Sequence, residues 1–316
     1  MSTFSQYTMP SADGLHTLTG IAVIPDAPIA CVEFSHGMAE HIERYRPFME
    51  FLAEHRILAF GHNHIGHGDS VSDPSELGYL PFRTGGDTLI SDILADGRRV
   101  KEAYSSLPLF LFGHSMGSFI ARLALSRDTD RLYSGGVISG TGGPVSGVGA
   151  GILLEKLVSA VRGEHAYSDL IQNIMFGGYN RRCPGRTEFD WLTRDNARVD
   201  DYLADPLCGF RFTVSALGVL TCLTRDANRP DTYRNTAKTL PLLLLSGEED
   251  PVGSYTAGVR TVDGAYRAAG IKDLSLTLYP GARHEPLNEE NRDAVYADIL
   301  QWLVSRIPDA EHPVSP

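Results

Sequence analysis

A serine hydroxyl attacks an acyl carbon only when a neighbouring base takes its proton, and Ser115 stands in a pentapeptide suited to that task, Gly113-His114-Ser115-Met116-Gly117. The apolar run Leu109-Phe110-Leu111-Phe112 precedes it and the helix-like stretch 118–125 follows, so the pentapeptide falls at a strand-to-helix turn. In such a turn the flanking positions take glycine, because a Cβ there would strike the neighbouring strand or helix, and the strained serine lifts its Oγ into a cleft. The hydroxyl then needs an imidazole, and the imidazole needs a carboxylate to hold its tautomer and stabilise its charged form. On a parallel sheet with this elbow the acid follows one late strand and the histidine the next. Ser246-Gly247-Glu248-Glu249-Asp250-Pro251 follows the apolar run 242–245, and Pro280-Gly281-Ala282-Arg283-His284-Glu285 follows the segment 274–279. Asp250 is therefore the expected acid, with Glu248 and Glu249 as alternatives, and His284 the expected base.

The oxyanion formed in acyl transfer needs two fixed N–H donors. The amide of Met116, directly after the nucleophile, is one. The other is expected from Met38, in the loop Ser35-His36-Gly37-Met38-Ala39-Glu40-His41 that follows the apolar run 29–34. A different chemistry is suggested by His62-Asn63-His64-Ile65-Gly66-His67, since closely spaced histidines can share a metal. That loop lacks the aspartate before its last histidine that a dinuclear hydrolase site requires, so it reads as a turn with His67 bonded locally. No metal and no cofactor are called for.

These residues must be carried by a scaffold. Up to about residue 140 short apolar runs (29–34, 57–60, 109–112, 136–138) alternate with helical patterns (43–54, 86–105, 118–126), which predicts an α/β fold with a mostly parallel sheet covered on both faces. The pattern resumes at 240–245 and 274–279 and ends in a helix over about 291–306. Between them, 143–236 shows helical apolar spacing without β-α alternation. We expect residues 1–142 and 237–308 to form the core, 143–236 an inserted helical cap above the sheet's C-terminal edge, and 309–316 a frayed tail. Leu153, Leu154 and Leu157 in the first cap stripe, and Phe210 and Leu217 further on, are the candidates to touch substrate.

The chain of 316 residues carries 28 Lys and Arg against 39 Asp and Glu, a formal charge of −11, which disfavours nucleic acid as a partner. The N-terminus lacks the basic and apolar regions of a secretory signal, and no stretch approaches the ~20 apolar residues of a membrane span, so a cytoplasmic location is expected. Cys31, Cys183, Cys208 and Cys222 are scattered without metal or disulfide-like spacing and are expected as free thiols.

The series HGMAEHIERY, GHGDS, GHSMG and the Asp and His loops resembles the monoacylglycerol lipase and lysophospholipase group of α/β-hydrolases, sometimes filed with serine aminopeptidases of the same fold. The similarity runs from Met9 through Leu303 and includes Asp205-Pro206-Leu207-Cys208-Gly209-Phe210 in the cap. It implies Ser115, Asp250 and His284 as a triad, the amides of Met38 and Met116 as an oxyanion hole, and a monoacylglycerol or lysophospholipid-like ester as substrate. A transient contact of the cap with a membrane or micelle goes with such a substrate. Asn63 departs from the group, which places an aspartate there; that position is outside the triad and bears on loop packing. A small-molecule carboxylesterase and an aminopeptidase are the alternatives within the fold, the latter needing acidic cap residues such as Glu188, Asp190, Asp200 or Asp201 to hold an amine. A non-catalytic binding protein on the same scaffold is the remote one. Oligomeric state is left open by the sequence.

Overall fold

Strands that are apolar on both faces belong in the middle of a sheet covered twice. The computed structural model, which describes residues 1–308, has such a sheet. Its strands are β1 Ser2–Pro10, β2 Thr17–Pro25, β3 Ala30–Ser35, β4 Ile57–His62, β5 Leu109–His114, β6 Gly135–Ser139, β7 Leu242–Gly247 and β8 Leu274–Tyr279. They lie side by side in the order β1-β2-β4-β3-β5-β6-β7-β8. β1, β2 and β4 pair antiparallel, and every pairing from β4 through β8 is parallel. The α/β-hydrolase arrangement expected from the sequence is thus present.

The period of two is explicit in β5. Leu109 and Leu111 join the apolar cluster on one face, while Phe110 and Phe112 join the cluster on the other. Helices α1 (Arg46–Glu54), α2 (Gly85–Ala103) and α3 (Met116–Arg127) fall within the first half of the chain. The insertion between β6 and β7 contains α4 (Val148–Arg162), α5 (Asp169–Phe176), α6 (Asn196–Ala204), α7 (Val214–Ala227) and α8 (Pro230–Asn235). The last two helices are α9 (Ala257–Ala268) and α10 (Arg292–Val304). α1 and α10 cover one face of the sheet through Phe48, Leu52, Val295 and Leu303; α2, α3 and α9 cover the other through Leu89, Ile93, Ile120 and Val262.

β1, β2 and α9 went unread in the sequence. Only Met9 of β1 is buried, because an edge strand has one half-covered face and needs no apolar run. Residues 309–316, expected as a frayed tail, lie outside the described residues.

Polar side chains start several of the inserted helices. Ser168 caps α5 through the Ile171 N–H, Asp195 caps α6 through Ala197 and Arg198, and Thr213 caps α7 through Ala216. The insertion is not uniformly peripheral. Val214, Leu217 and Leu223 of α7 are fully buried within the cluster that includes α2 and α3, so this helix is the floor on which α4 rests. One side chain joins the start of the insertion to the end of α7. The buried Arg122 of α3 donates to the Gly142 carbonyl at 3.3 Å, and to the Ala227 carbonyl at 2.6 Å and Asn228 Oδ1 at 3.0 Å. Among the described residues no helix is long and apolar enough to cross a membrane.

Candidate active site

Ser115 links β5 to α3 with φ 53° and ψ −119°, a left-handed conformation that costs a non-glycine residue energy and is held here by its surroundings. Its N–H donates to the Ser139 carbonyl of β6 at 3.0 Å, and its carbonyl accepts from the Ser118 hydroxyl at 2.6 Å. The flanking glycines are sterically required: a Cβ on Gly117 would run into the Ser35 carbonyl oxygen, and one on Gly113 into the carbonyl of Gly117.

His284 and Asp250 come from the loops after β8 and β7. His284 Nδ1 lies 3.0 Å from Asp250 Oδ1, and both side chains are buried. A carboxylate can only accept, so Nδ1 carries the hydrogen and Nε2 is the free basic nitrogen. Asp250 is itself oriented by the Val252 N–H at 2.8 Å. The close approach of the two loops depends on Gly247, where a Cβ would strike the carbonyls of Ala282 and Arg283. Burial by itself depresses the imidazolium, but the Asp250 carboxylate outweighs it and holds the His284 pKa above its ordinary value. Glu249, weighed as an alternative acid, is exposed and faces Arg182 at 3.8 Å.

The structure places Met38 in the loop after β3 and Met116 at the first position of α3. Among the described residues neither the Met38 nor the Met116 N–H has an acceptor. The Met38 amide is aimed by its neighbours. His36 Nδ1 lies 2.8 Å from the Gly37 carbonyl oxygen, and the His64 N–H donates to His36 Nε2 at 3.0 Å, which fixes the neutral Nδ1–H tautomer. With no cis peptide in the described chain, tying down the Gly37 carbonyl turns the Met38 N–H to the opposite side. The Gly37 N–H donates to Glu40 Oε1 at 2.5 Å. Glu40 in turn pairs with Arg44, whose guanidinium forks onto Glu285 at 2.9 and 2.8 Å. Burial would raise the Glu40 carboxyl, yet Arg44 beside it brings it below its usual value.

Sequence reasoning missed these supports, although the residues stood in the motif it singled out. Their roles depend on Glu285 arriving from the far end of the chain.

His62, His64 and His67 gather with His36 in one buried cluster of rings, the His36 and His64 centroids lying 4.3 Å apart. His67 Nδ1 lies 3.0 Å from the Ile65 carbonyl, His64 Nε2 lies 3.1 Å from Ser35 Oγ, and His62 Nδ1 pairs with Asp96 at 2.9 Å. Asn63 accepts from the Ile42 N–H at 2.8 Å and donates to Thr19 Oγ1 at 3.1 Å, so the amide links three segments around the loop.

Two cavities meet at Ser115. One, of about 450 Å³, is mainly apolar and is bordered by Phe119, Leu154, Ile171, Met175 and Leu220. The other, of about 760 Å³, is bordered by His284 and Phe210 and by polar groups including Gln172, Asn173 and Asn180. Of the five side chains expected to touch substrate, Leu154 borders the first and Phe210 the second. The other three need correction. Leu153 and Leu157 are 58% and 57% exposed and border neither cavity, and Leu217, on α7, is sealed in the core. α4 buries Ile152, Glu155 and Ser159 and turns Leu154 and Val158 partly inward, so only Leu153, Leu157 and Val161 of its apolar residues lie on the outer side. Among the acidic cap residues, Asp190 binds the Thr187 hydroxyl, Asp200 pairs with Arg186 and Asp201 with Arg198, leaving Glu188 at the second cavity.

The profile of the family described as serine aminopeptidase, S33 (Hydrolase_4) matches residues 26–291. The monoglyceride lipase of Rattus norvegicus is 28% identical over 307 residues, covering 94% of this chain and 89% of its own. The monoacylglycerol lipase of Mycolicibacterium smegmatis is 27% identical over 308 residues, with 97% and 99% covered. Among solved structures, a thermostable carboxyl esterase from Bacillus coagulans superposes with a TM-score of 0.90 at 25% identity, over 97% of this chain and 100% of that one. A match that runs from the segment before β3 to the start of α10, on an α/β-hydrolase sheet, establishes that the chain belongs to the serine aminopeptidase S33 family of hydrolases.

Proposed function

We propose that the protein is a serine carboxylic-ester hydrolase acting through an acyl-enzyme on monoacylglycerol or lysophospholipid-type monoacyl lipids. His284 Nε2 takes the Ser115 proton as Oγ attacks the ester carbonyl, and Asp250 stabilises the imidazolium. The developing oxyanion is received by the Met38 and Met116 amides. His284 then returns the proton to the leaving alcohol, and water repeats the sequence to free the acid and regenerate Ser115.

One observation carries the substrate class: an apolar cavity and a more polar one open on the same serine. An acyl chain fits the first and an oxygen-rich leaving group the second. The monoacylglycerol lipase relatives support the same reading. The outward stripe Leu153, Leu157 and Val161 on α4, with Leu170 and Ile174 on α5, gives the cap an apolar exterior suited to transient contact with a micelle or membrane.

The small-ester reading is favoured by the likeness to the carboxyl esterase. A chain-length series of monoacylglycerols and p-nitrophenyl esters separates the two. Monoacyl lipid specificity requires kcat/KM to climb with acyl length, and a maximum at acetate or butyrate refutes it.

A further inference from the structure

The apolar cavity has one feature that an unfunctionalised acyl chain does not explain. Glu155 of α4 borders it and is only 2% exposed. Its Oε1 accepts from the Thr221 hydroxyl at 2.7 Å, and Thr221, on α7, borders the same cavity. Oε2 is buried and has no partner among the described residues. Leaving such an oxygen unpaired is costly, and an apolar residue would serve the helix better if the cavity took hydrocarbon alone.

We propose that Glu155 and Thr221 form a polar recognition point inside the acyl cavity, taking an acyl group that carries a hydroxyl along its chain. This rests on the ester-hydrolase reading and narrows its substrate. Burial raises the Glu155 carboxyl above its ordinary value, which favours the neutral acid. A neutral carboxyl can both donate to and accept from an alcohol, so a hydroxyl there completes the missing hydrogen bond without bringing charge into the cavity. An ammonium would instead require an ion pair, whose desolvation the apolar surroundings oppose. The cavity lining includes no basic side chain, so a carboxylate on the acyl chain has no counter-charge there.

The test compares p-nitrophenyl decanoate with its hydroxydecanoate isomers, the hydroxyl being moved carbon by carbon from the third position to the end of the chain, and with the terminal aminodecanoate. Wild-type enzyme is expected to turn over at least one hydroxydecanoate with kcat/KM about 5- to 10-fold above decanoate, the value of one buried hydrogen bond. Glu155→Leu should reverse that order, bringing the ratio of hydroxydecanoate to decanoate kcat/KM below one, because the hydroxyl then enters the cavity unpaired. Glu155→Gln should retain part of the preference, since an amide still donates and accepts. Thermal unfolding and fluorophosphonate labelling of each variant separate a lost preference from a lost fold. The proposal is overturned if no hydroxylated isomer exceeds decanoate, if Glu155→Leu keeps the preference, or if the aminodecanoate is the best substrate. Wild-type enzyme that hydrolyses none of these esters would bring down the underlying ester-hydrolase reading instead, and the two failures are distinct.

Discussion

The Arg44 guanidinium grips the Glu285 carboxylate through two parallel hydrogen bonds of 2.9 and 2.8 Å, joining the loop that bears the Met38 amide to the residue after His284. The same guanidinium pairs with Glu40, and both carboxylates are buried. The loop that bears Met38 and the loop that bears His284 are thereby held to one another through a single planar cation.

Arg44→Met should leave two buried carboxylates without their counter-charge. Breaking such a network typically costs about 3–5 kcal/mol, to be read from urea unfolding. Arg44→Lys should recover only part of this, because a point charge cannot make the two-bond fork. kcat should fall more than KM rises in both, since the amide position matters most to the oxyanion.

Ser115→Ala and His284→Ala should each lower kcat by several orders of magnitude, with the double variant little worse than either, because the two groups act as a unit. Asp250→Asn should be severely impaired and Glu249→Gln close to wild type. Steady-state kinetics with a p-nitrophenyl ester decides the ranking, and the opposite order would transfer the acid to Glu249.

The pH profile follows from the sign of the His284 shift. The imidazole must be neutral to act as base, so kcat/KM should rise with pH through the His284 pKa, and the inflection should lie above the ordinary value of 6.5. Asp250→Asn removes the largest contribution that raises it and leaves only the weaker pull of Glu285 and Glu40 against burial. The residual activity of that variant should therefore titrate at lower pH than wild type. An unmoved inflection would assign the limb to another group.

The cap correction predicts a split among leucines. Leu154→Ser and Leu220→Ser remove apolar wall from the cavity, and losing contact with two or three methylenes at about 0.8 kcal/mol each predicts a drop of about 10- to 60-fold in kcat/KM for long-chain esters, with acetate little changed. Leu153→Ser and Leu157→Ser should leave soluble short esters untouched and weaken turnover of micellar monoacylglycerol. Equal losses on both kinds of substrate would assign these leucines to holding the cap together.

What the sequence could show depended on how local the cause was. The Ser115 turn, with its two glycines between an apolar run and a helix, is specified within a dozen residues, and the Asp250 and His284 loops stand out because each follows an apolar strand. The alternation of strand and helix is equally local. β1 carries no such mark, since its neighbours on one side are solvent. The stripe on α4 was legible as a helix, but periodicity says that a face is apolar and not which way it is turned; α7 and the Glu155–Thr221 contact decide that. The Arg44 network escaped because its partners are separated by 241 positions in the chain.

Arg122 gathers the Gly142 carbonyl and the Ala227 carbonyl onto one guanidinium. Seen from the sheet, the intervening segment is a closed loop whose length hardly enters the energetics of closure, because that entropy grows only with the logarithm of length. Within that loop α7 is tied to the core by Val214, Leu217 and Leu223, so α4, which rests on it, is what the core constrains least. Such a junction lets α4 be lengthened, shortened or replaced while the elbow at Ser115 keeps its geometry, so substrate range and chemical machinery can change independently in this architecture.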